Sequence, residues 1–151
     1  MQLFRQQNNK PLWENHSNKL QVEPWGRDSL RVRSTISAEI RDDLFSILLP
    51  PSSDTDVQIT IGEEGATISN GALTATISLQ GILRFSNTTS GTQLLAESQP
   101  IPATRIPPRF FKAAGGDLFH LEVSFSGARG RTLLWTGAAS ARTVRSKGLY
   151  D

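Results

Sequence analysis

The chain has 151 residues, of which 37% are hydrophobic, 20% charged and 7% aromatic, so it can form one domain or at most two very small ones. Its net charge of +2 is concentrated in residues 131–151, which carry +3, and residues 1–130 carry −1. This distribution argues against a nucleic-acid partner, because nucleic-acid-binding grooves gather basic and aromatic side chains on one face. No apolar run of about 18 residues and no signal-peptide core occur, so the sequence predicts no membrane partner and an intracellular, cytoplasmic location.

Cysteine is absent, which excludes disulfide scaffolds, thiol nucleophiles and cysteine-based zinc sites. Only His16 and His120 could supply imidazole ligands. The sequence therefore predicts no cofactor and no metal site.

Short segments of alternating apolar and polar residues predict strands at residues 30–36, 57–61, 72–79 and 119–125. In chain order, the residues predicted to face inward are Leu30, Val32 and Ile36; Val57, Ile59 and Ile61; Leu73, Ala75, Ile77 and Leu79; and Phe119, Leu121, Val123 and Phe125. The residues predicted to face away from these are Arg31 and Arg33 in the first strand and Thr74, Thr76 and Ser78 in the third.

Turn signals separate the predicted strands at Trp25-Gly26-Arg27-Asp28, at Ser69-Asn70-Gly71 and at residues 87–91. Residues 41–49 fit either one helical turn or an irregular excursion, and residues 50–54 predict a surface loop. Closely spaced short strands with little helix predict an all-β fold, an antiparallel β-sandwich.

The C-terminal residues 127–151 have a different composition, with little acid and a run of small residues from Gly137 to Ala141. No strand alternation is evident there. The segment therefore predicts a frayed or disordered tail, as is common at chain ends.

Candidate catalytic groups are sparse. Asp42-Asp43 and Glu63-Glu64 are paired in sequence, but neighbouring strand residues point to opposite faces, so solvated carboxylates are expected. His120 and Glu122 share one face of a predicted strand and could form a proton-transfer pair, with a cross-strand polar contact as the alternative. Neither a Gly-x-Ser-x-Gly nucleophile elbow nor a Gly-x-x-x-x-Gly-Lys phosphate loop occurs.

Two tryptophans and two glycosylation sequons are the remaining signals. Trp13 and Trp25 could present a stacking surface for a sugar ring, with packing in the core or at its rim as the alternative. Asn15-His16-Ser17 and Asn87-Thr88-Thr89 match the N-glycosylation pattern, which carries little weight without a secretory signal.

One stretch, Lys19 to Ile36 (KLQVEPWGRDSLRVRSTI), resembles the opening of the family 31 glycoside hydrolases, particularly their α-xylosidase-like branch. The resemblance continues through Gly71 to Ala75, Gly81 to Phe85 and Phe119 to Phe125, and covers residues 10–130. It implies a domain at 1–130, a β-sandwich of the galactose-mutarotase-like type that precedes a catalytic (β/α)8 barrel. The barrel itself is not in this chain.

The family hydrolyses α-xylosides or α-glucosides with retention, using two aspartates carried by the barrel. The resemblance therefore implies a truncated support domain of an α-glycosidase, with no catalytic residue, unknown carbohydrate-binding residues and a carbohydrate partner only within a full-length enzyme, where it would pack on the barrel. The alternative is a self-sufficient sugar-binding or protein-interaction sandwich. A small independent enzyme using His120 and Glu122 is a third interpretation.

Residues 131–151 do not resemble the family, and the codons that these amino acids permit suggest a reason. Permitted codons from Thr132 onward, read one base out of frame, spell ERFYGLGQHQH, which is similar to the family's continuation. The same shift permits GLFDQKGCM through Asp151. We therefore predict that the reading frame shifts by one base near Gly130 and Arg131.

Overall fold

The computed structural model describes residues 3–40, 56–98, 107–115, 118–127, 132–140 and 144–146. The predicted helical turn or excursion at 41–49 and the predicted loop at 50–54 lie outside these residues. Among the described residues every regular element is a strand, and the strands form two antiparallel sheets, so the predicted all-β class is confirmed.

Thirteen strands are present in the described parts of the chain. Their bounds are β1 Phe4–Gln7, β2 Lys10–Asn15, β3 Asn18–Gly26, β4 Ser29–Thr35, β5 Val57–Gly62, β6 Gly65–Asn70, β7 Leu73–Ser78, β8 Leu83–Asn87, β9 Gln93–Glu97, β10 Arg109–Gly115, β11 Leu118–Gly127, β12 Thr132–Ser140 and β13 Val144–Ser146.

Contacts divide the chain into two compact units, whereas the sequence favours one core. The first unit comprises Met1–Arg41 and Ile47–Leu94, and the second comprises Asp42–Ser46 and Leu95–Asp151. The division falls within β9. The predicted boundary between a domain at 1–130 and a tail at 131–151 stays a prediction.

The first unit is a sandwich of two antiparallel layers, one with the order β1-β2-β3-β4 and the other built from β5, β6, β7 and β8. Alternate residues of each layer meet in one apolar core, as expected for sheets with one buried face. The buried members are Phe4, Trp13, Leu20, Val22, Ala66, Ile68, Ala75, Ile77 and Leu83.

Most strand predictions for the first unit are confirmed. Ala75 and Ile77 are fully buried, and Leu30, Val57 and Ile59 pack against the core. The turn at Arg27–Asp28 joins adjacent antiparallel strands, as the sequence predicts. The hairpin predicted at Ser69-Asn70-Gly71 is present, but its turn is at Gly71–Ala72, because β6 continues to Asn70. The polar loop after β8 is present as well, beginning at Asn87.

Three residues predicted to face inward are exposed instead. Val32 is 37% exposed because it lies on β4, an edge strand of the four-stranded sheet, although its register partner Val22 is fully buried. Ile61 and Leu79 are each 38% exposed, one near the end of β5 and the other beyond the end of β7. Alternation predicts which face a side chain occupies, but burial also requires neighbours on all sides.

In the second unit β11 is paired along both edges, with β12 on one edge and with β10 and the end of β9 on the other. Val123 is buried, and Phe119, Leu121 and Phe125 are partly buried, so the predicted apolar face is present. These residues alternate with His120, Glu122 and Ser124 on the opposite face.

The C-terminal segment, predicted to lack strands, contains two. β12 pairs with β11 from Leu118↔Ser140 to Ser126↔Thr132, and β13 pairs with β12. Strand pairing uses backbone N–H and C=O groups, so a segment without alternating side chains can still extend a sheet. The prediction of a disordered tail therefore differs from the structure over residues 132–140 and 144–146.

Candidate functional site

The face of the four-stranded sheet opposite the core carries a group of charged and polar side chains around Glu23. We call Lys10, Gln21, Glu23, Arg31 and Arg33 the Glu23 cluster. Oε1 of Glu23 lies 2.6 Å from Arg31 Nε and 2.8 Å from Arg33 Nε, and Oε2 lies 2.9 Å from Lys10 Nζ. Gln21 Oε1 accepts a hydrogen bond of 2.6 Å from Arg33 Nη2.

The hairpin register assembles most of this cluster. Glu23 is opposite Arg31 and Gln21 is opposite Arg33 across β3 and β4, so all four side chains project from one face. Arg31 and Arg33 point away from the core as predicted, but their side chains are only 15% and 16% exposed. They are therefore structural ion-pair partners, a role that the predicted outward orientation did not specify.

The carboxylate of Glu23 is held in its ionised form. Burial alone would raise its pKa, but hydrogen bonds from Arg31 and Lys10 and the charge of Arg33 outweigh burial and lower the pKa below the ordinary 4.5. A glutamate with a lowered pKa cannot serve as a general acid near neutral pH. Both of its oxygens also face cations, so its chemistry is that of an ion-pair centre and not of a catalytic acid.

The two tryptophans occupy different environments. Trp13 is 6% exposed within the core, and its Nε1 donates a hydrogen bond of 3.0 Å to the carbonyl oxygen of Leu79. Trp25 is half-buried, and the guanidinium of Arg31 lies 3.7 Å from the centroid of its ring. The core interpretation holds for Trp13, and one ring face of Trp25 is already covered.

A second polar group joins the two layers of the first unit at the β3–β4 and β6–β7 turns. Asn70 is fully buried; its Nδ2 donates to the carbonyl oxygens of Gly26 at 2.6 Å and Ser29 at 2.8 Å, and its Oδ1 accepts from the backbone N–H of Asp56 at 3.1 Å. We call these four residues the cross-sheet tie. Because every polar atom of the amide is bonded, burial of Asn70 stabilises one relative position of the two turns.

A polar cleft of about 350 Å³ adjoins the cross-sheet tie and is lined by Arg27, Asp28, Asp56, Asn70 and Gly71. Asp28 is already engaged, since its Oδ1 accepts a hydrogen bond of 2.6 Å from the backbone N–H of Ala72 and its Oδ2 lies 3.8 Å from Arg27 Nε. These contacts hold the two turns together. The cleft therefore lies at the edge of a structural contact between the two turns.

His120 and Glu122 are brought together, as the sequence allowed. Nε2 of His120 lies 3.7 Å from Oε1 of Glu122, with the two side chains 41% and 33% exposed. The register places Lys112 opposite His120 and Phe110 opposite Glu122. On the other edge of β11 the register places Thr136 opposite Glu122. The arrangement of His120 and Glu122 is a partly exposed polar contact along one strand.

The other predicted candidates do not assemble a site. Glu63-Glu64 lies in an exposed turn, and Asp42-Asp43 lies outside the described residues. Of the sequon asparagines, Asn15 lies beside an exposed turn, and Oδ1 of Asn87 accepts hydrogen bonds from the backbone N–H groups of Thr89 and Ser90 within its loop.

The described residues contain no group of three or more His, Cys, Asp or Glu residues that could hold a metal ion. They also contain no helix long and apolar enough to cross a membrane.

The second unit contains an ion pair that sequence reasoning did not single out. Oε1 of Glu97 lies 3.1 Å from Arg109 Nε, and the two side chains are 1% and 12% exposed. Burial lowers the pKa of Arg109, and the charge and hydrogen bond of Glu97 oppose that shift. Separating the two strands would leave a buried charge without its partner, so this ion pair stabilises one arrangement of β9 and β10.

The Glu23 cluster and the cross-sheet tie were both missed by the sequence analysis. The predicted turn at Trp25–Asp28 indicates that its two strands pair, but continuing the Gly26↔Ser29 register would place Glu23 opposite Val32. The register shift between Pro24 and Gly26 places it opposite Arg31 instead, and the sequence analysis did not predict that shift. The tie joins Asn70 to residues more than 40 positions away, Gly26 and Ser29. Nothing in the local sequence signals that contact.

Comparison with known proteins gives two relatives. The chain is 30% identical, over 90% of its own length and 28% of the relative's, to an uncharacterized family 31 glucosidase of Pseudescherichia vulneris. It superposes with a TM-score of 0.69 and 31% identity on a GH31 alpha-xylosidase from a soil metagenome, solved in complex with xylose, covering 82% of this chain and 20% of that one. No family model matches the chain. The chain thus spans less than a third of either relative.

Proposed function

This chain is homologous to a part of the family 31 glycoside hydrolases, and from that relationship we propose that it is the N-terminal β-sandwich of an α-glycosidase. In this role it supports a catalytic barrel and carries no catalytic group of its own. The substrate of the whole enzyme is an α-xyloside or an α-glucoside, which accords with one relative's name as an alpha-xylosidase and the other's as a glucosidase. The sandwich is of the galactose-mutarotase-like type and packs against the barrel.

The observation that carries the proposal is the structural match to the α-xylosidase, which takes in most of this chain but only a fifth of that enzyme. A segment that occupies so small a share of an enzyme is expected to be one of its domains. The share fits a domain that accompanies a barrel of the usual size, about 250 residues.

The chemistry of the two buried glutamates among the described residues supports a non-catalytic role. Retaining hydrolysis needs two carboxyl groups about 5 Å apart with room for a sugar between them. Glu23 and Glu97 are both buried in ion pairs with basic side chains, so neither is available to attack an anomeric carbon or to protonate a leaving group.

An activity assay tests the proposal directly. The purified chain, incubated with nitrophenyl α-xyloside and nitrophenyl α-glucoside, should release no nitrophenol above the buffer blank. Turnover that disappears in His120→Ala would instead establish a small independent enzyme. Calorimetric titration with the same glycosides separates the remaining alternative, because a self-sufficient sugar-binding module should show saturable binding and a support domain should not.

The proposed reading-frame shift is part of the same proposal and is tested on the gene. Sequencing the gene and its transcript from codon 125 to a few hundred codons downstream should reveal a frame that, after a one-base correction, continues through ERFYGLGQ into a barrel with its aspartates. The longer product should then hydrolyse one of the two glycosides. A closed downstream frame would make residues 131–151 genuine and favour an independent binding domain.

A further inference from the structure

The central residue of the cross-sheet tie, Asn70, begins a chemically reactive dipeptide. Asn70 is followed by Gly71. Because glycine has no side chain, its backbone nitrogen can attack the side-chain amide carbon of Asn70 without steric hindrance. In that reaction Gly71 N forms a bond to Asn70 Cγ and ammonia leaves, which gives a five-membered succinimide. Water then opens the ring at either carbonyl, so the products are aspartate or isoaspartate at position 70.

The fold favours this dipeptide. Gly71 has a φ of 56°, and a Cβ at that position would collide with Oδ1 of Asp28. Asn70 is required because an amide can donate two hydrogen bonds and accept another, and the structure uses all three. The residues that hold the two turns together are therefore also the residues most prone to cyclise.

The native contacts prevent this cyclisation. The backbone N–H of Gly71 donates a hydrogen bond of 3.2 Å to the carbonyl oxygen of Asp56, so the attacking nitrogen is engaged. The amide of Asn70 is fully buried and is fixed by Gly26, Ser29 and Asp56. Cyclisation requires the amide to rotate and the nitrogen to lose its partner, which happens only when the turns separate.

Modification would prevent the tie from forming again. A carboxylate at position 70 cannot donate, so it would face the carbonyl oxygens of Gly26 and Ser29 with two unmet acceptors. Asp28 and Asp56 line the adjoining cleft, so the new negative charge would lie near two others. Isoaspartate would in addition lengthen the backbone within the turn.

We propose that Asn70-Gly71 is a deamidation site that the native fold protects, so that opening of the β3–β4 and β6–β7 turns is converted into irreversible loss of the folded chain. The rate in native buffer equals the intrinsic rate multiplied by the fraction of open molecules, as for exchange of protected amides. The proposal does not depend on the glycosidase relationship.

Peptide mapping by mass spectrometry tests the protection. The full chain is aged at mildly alkaline pH with and without urea, and the conversion of Asn70 is followed together with that of the exposed asparagines Asn8 and Asn9 as internal controls. Conversion of Asn70 should be at least about tenfold slower in native buffer than in urea, equivalent to an opening free energy of about 1.4 kcal/mol. The two control asparagines should show a much smaller ratio. Equal rates for Asn70 in both buffers would overturn the proposal.

Two further measurements do not depend on a variant that folds. In urea, Gly71→Ala should slow conversion of Asn70 several-fold, because the added methyl hinders the attacking nitrogen, and an unchanged rate would contradict the cyclic route. After removal of urea from an aged sample, size exclusion should find aspartate and isoaspartate at position 70 enriched in the non-native fraction. An equal share in both fractions would show that the modified chain refolds and would overturn the second half of the proposal.

Discussion

At the scale of single residues, the decisive feature of the first unit is a buried carboxylate that is matched by cations. Glu23 is 2% exposed and contacts Lys10, Arg31 and Arg33. Burial of the carboxylate alone would be strongly unfavourable, and the three contacts offset that cost. Loss of the negative charge should therefore destabilise the folded chain even when the replacement side chain has the same size and shape.

Glu23→Gln should lower the free energy of unfolding by about 3 kcal/mol, because an amide group would face guanidinium and ammonium groups and leave their charges uncompensated. Urea denaturation followed by tryptophan fluorescence measures the change. Glu14→Gln is the matched control, since Glu14 also pairs with two cations, Arg5 and Lys19, but in a more exposed setting. A loss for Glu23→Gln no larger than for Glu14→Gln would contradict this account.

The pH dependence of stability should carry the signature of Glu23. Its pKa is lower in the folded chain than the ordinary 4.5, so its contribution is complete above that value and is lost as the pH falls through the folded pKa. Urea midpoints measured from about pH 6 to about pH 3 should therefore fall in the unmodified chain. The fall should be smaller in Glu23→Gln, and parallel curves would remove Glu23 as a source.

At the scale of elements, tight turns set the positions of the strands, and some of them depend on glycine. Gly81 has a φ of 75°, and a Cβ there would lie 2.7 Å from the indole of Trp13. Trp13 in turn donates its Nε1–H to the carbonyl of Leu79 in the same turn. The turn between β7 and β8 is therefore packed directly against the core.

Gly81→Ala should destabilise the chain by more than Gly91→Ala. Both positions have positive φ, but nothing lies within 4 Å of a Cβ at Gly91, so that variant isolates the backbone strain, about 1 kcal/mol. The extra loss in Gly81→Ala measures the collision with Trp13, and the tryptophan emission of the chain should shift only in this variant. Equal losses in the two variants would show that the indole moves aside without cost.

At the scale of the whole molecule, two compact units each carry their own strand pairing, and the chain matches only a part of its relatives. Among the residues that the structure describes, four large apolar side chains are 37–45% exposed, namely Val32, Ile61, Leu79 and Leu94. Under the proposed function, these 151 residues purified alone are separated from the barrel against which they would pack. Apolar surface left without its partner favours association.

The purified chain should therefore self-associate or show low solubility. Size exclusion combined with light scattering should give a mass that rises with protein concentration, while far-ultraviolet circular dichroism reports a β-rich protein. A monomer that unfolds in one cooperative step and stays monomeric as concentration rises would argue against a missing partner domain. That result would favour the alternative of a self-sufficient binding sandwich.

The sequence by itself determined the fold class, most strands and the family relationship. Period-two alternation, as in Ala75 and Ile77, follows from the geometry of a strand and needs no knowledge of the partner strand. The turn at Arg27–Asp28 was predictable for a similar reason, since glycine and aspartate favour tight turns locally. The strands of the C-terminal segment were missed because pairing there rests on backbone groups, which leave no pattern in the side chains.

Only the tertiary structure decided which polar residues act together. Exposure of Val32 and burial of Glu23 depend on whether neighbouring elements cover a given face, and alternation says nothing about that. Asn70 appeared in the sequence as one residue of a hairpin turn, but the fold brings it to Gly26 and Ser29 and makes it the centre of the cross-sheet tie. Contacts between residues far apart in the chain arise from packing of the two layers, and local sequence rules do not contain that information.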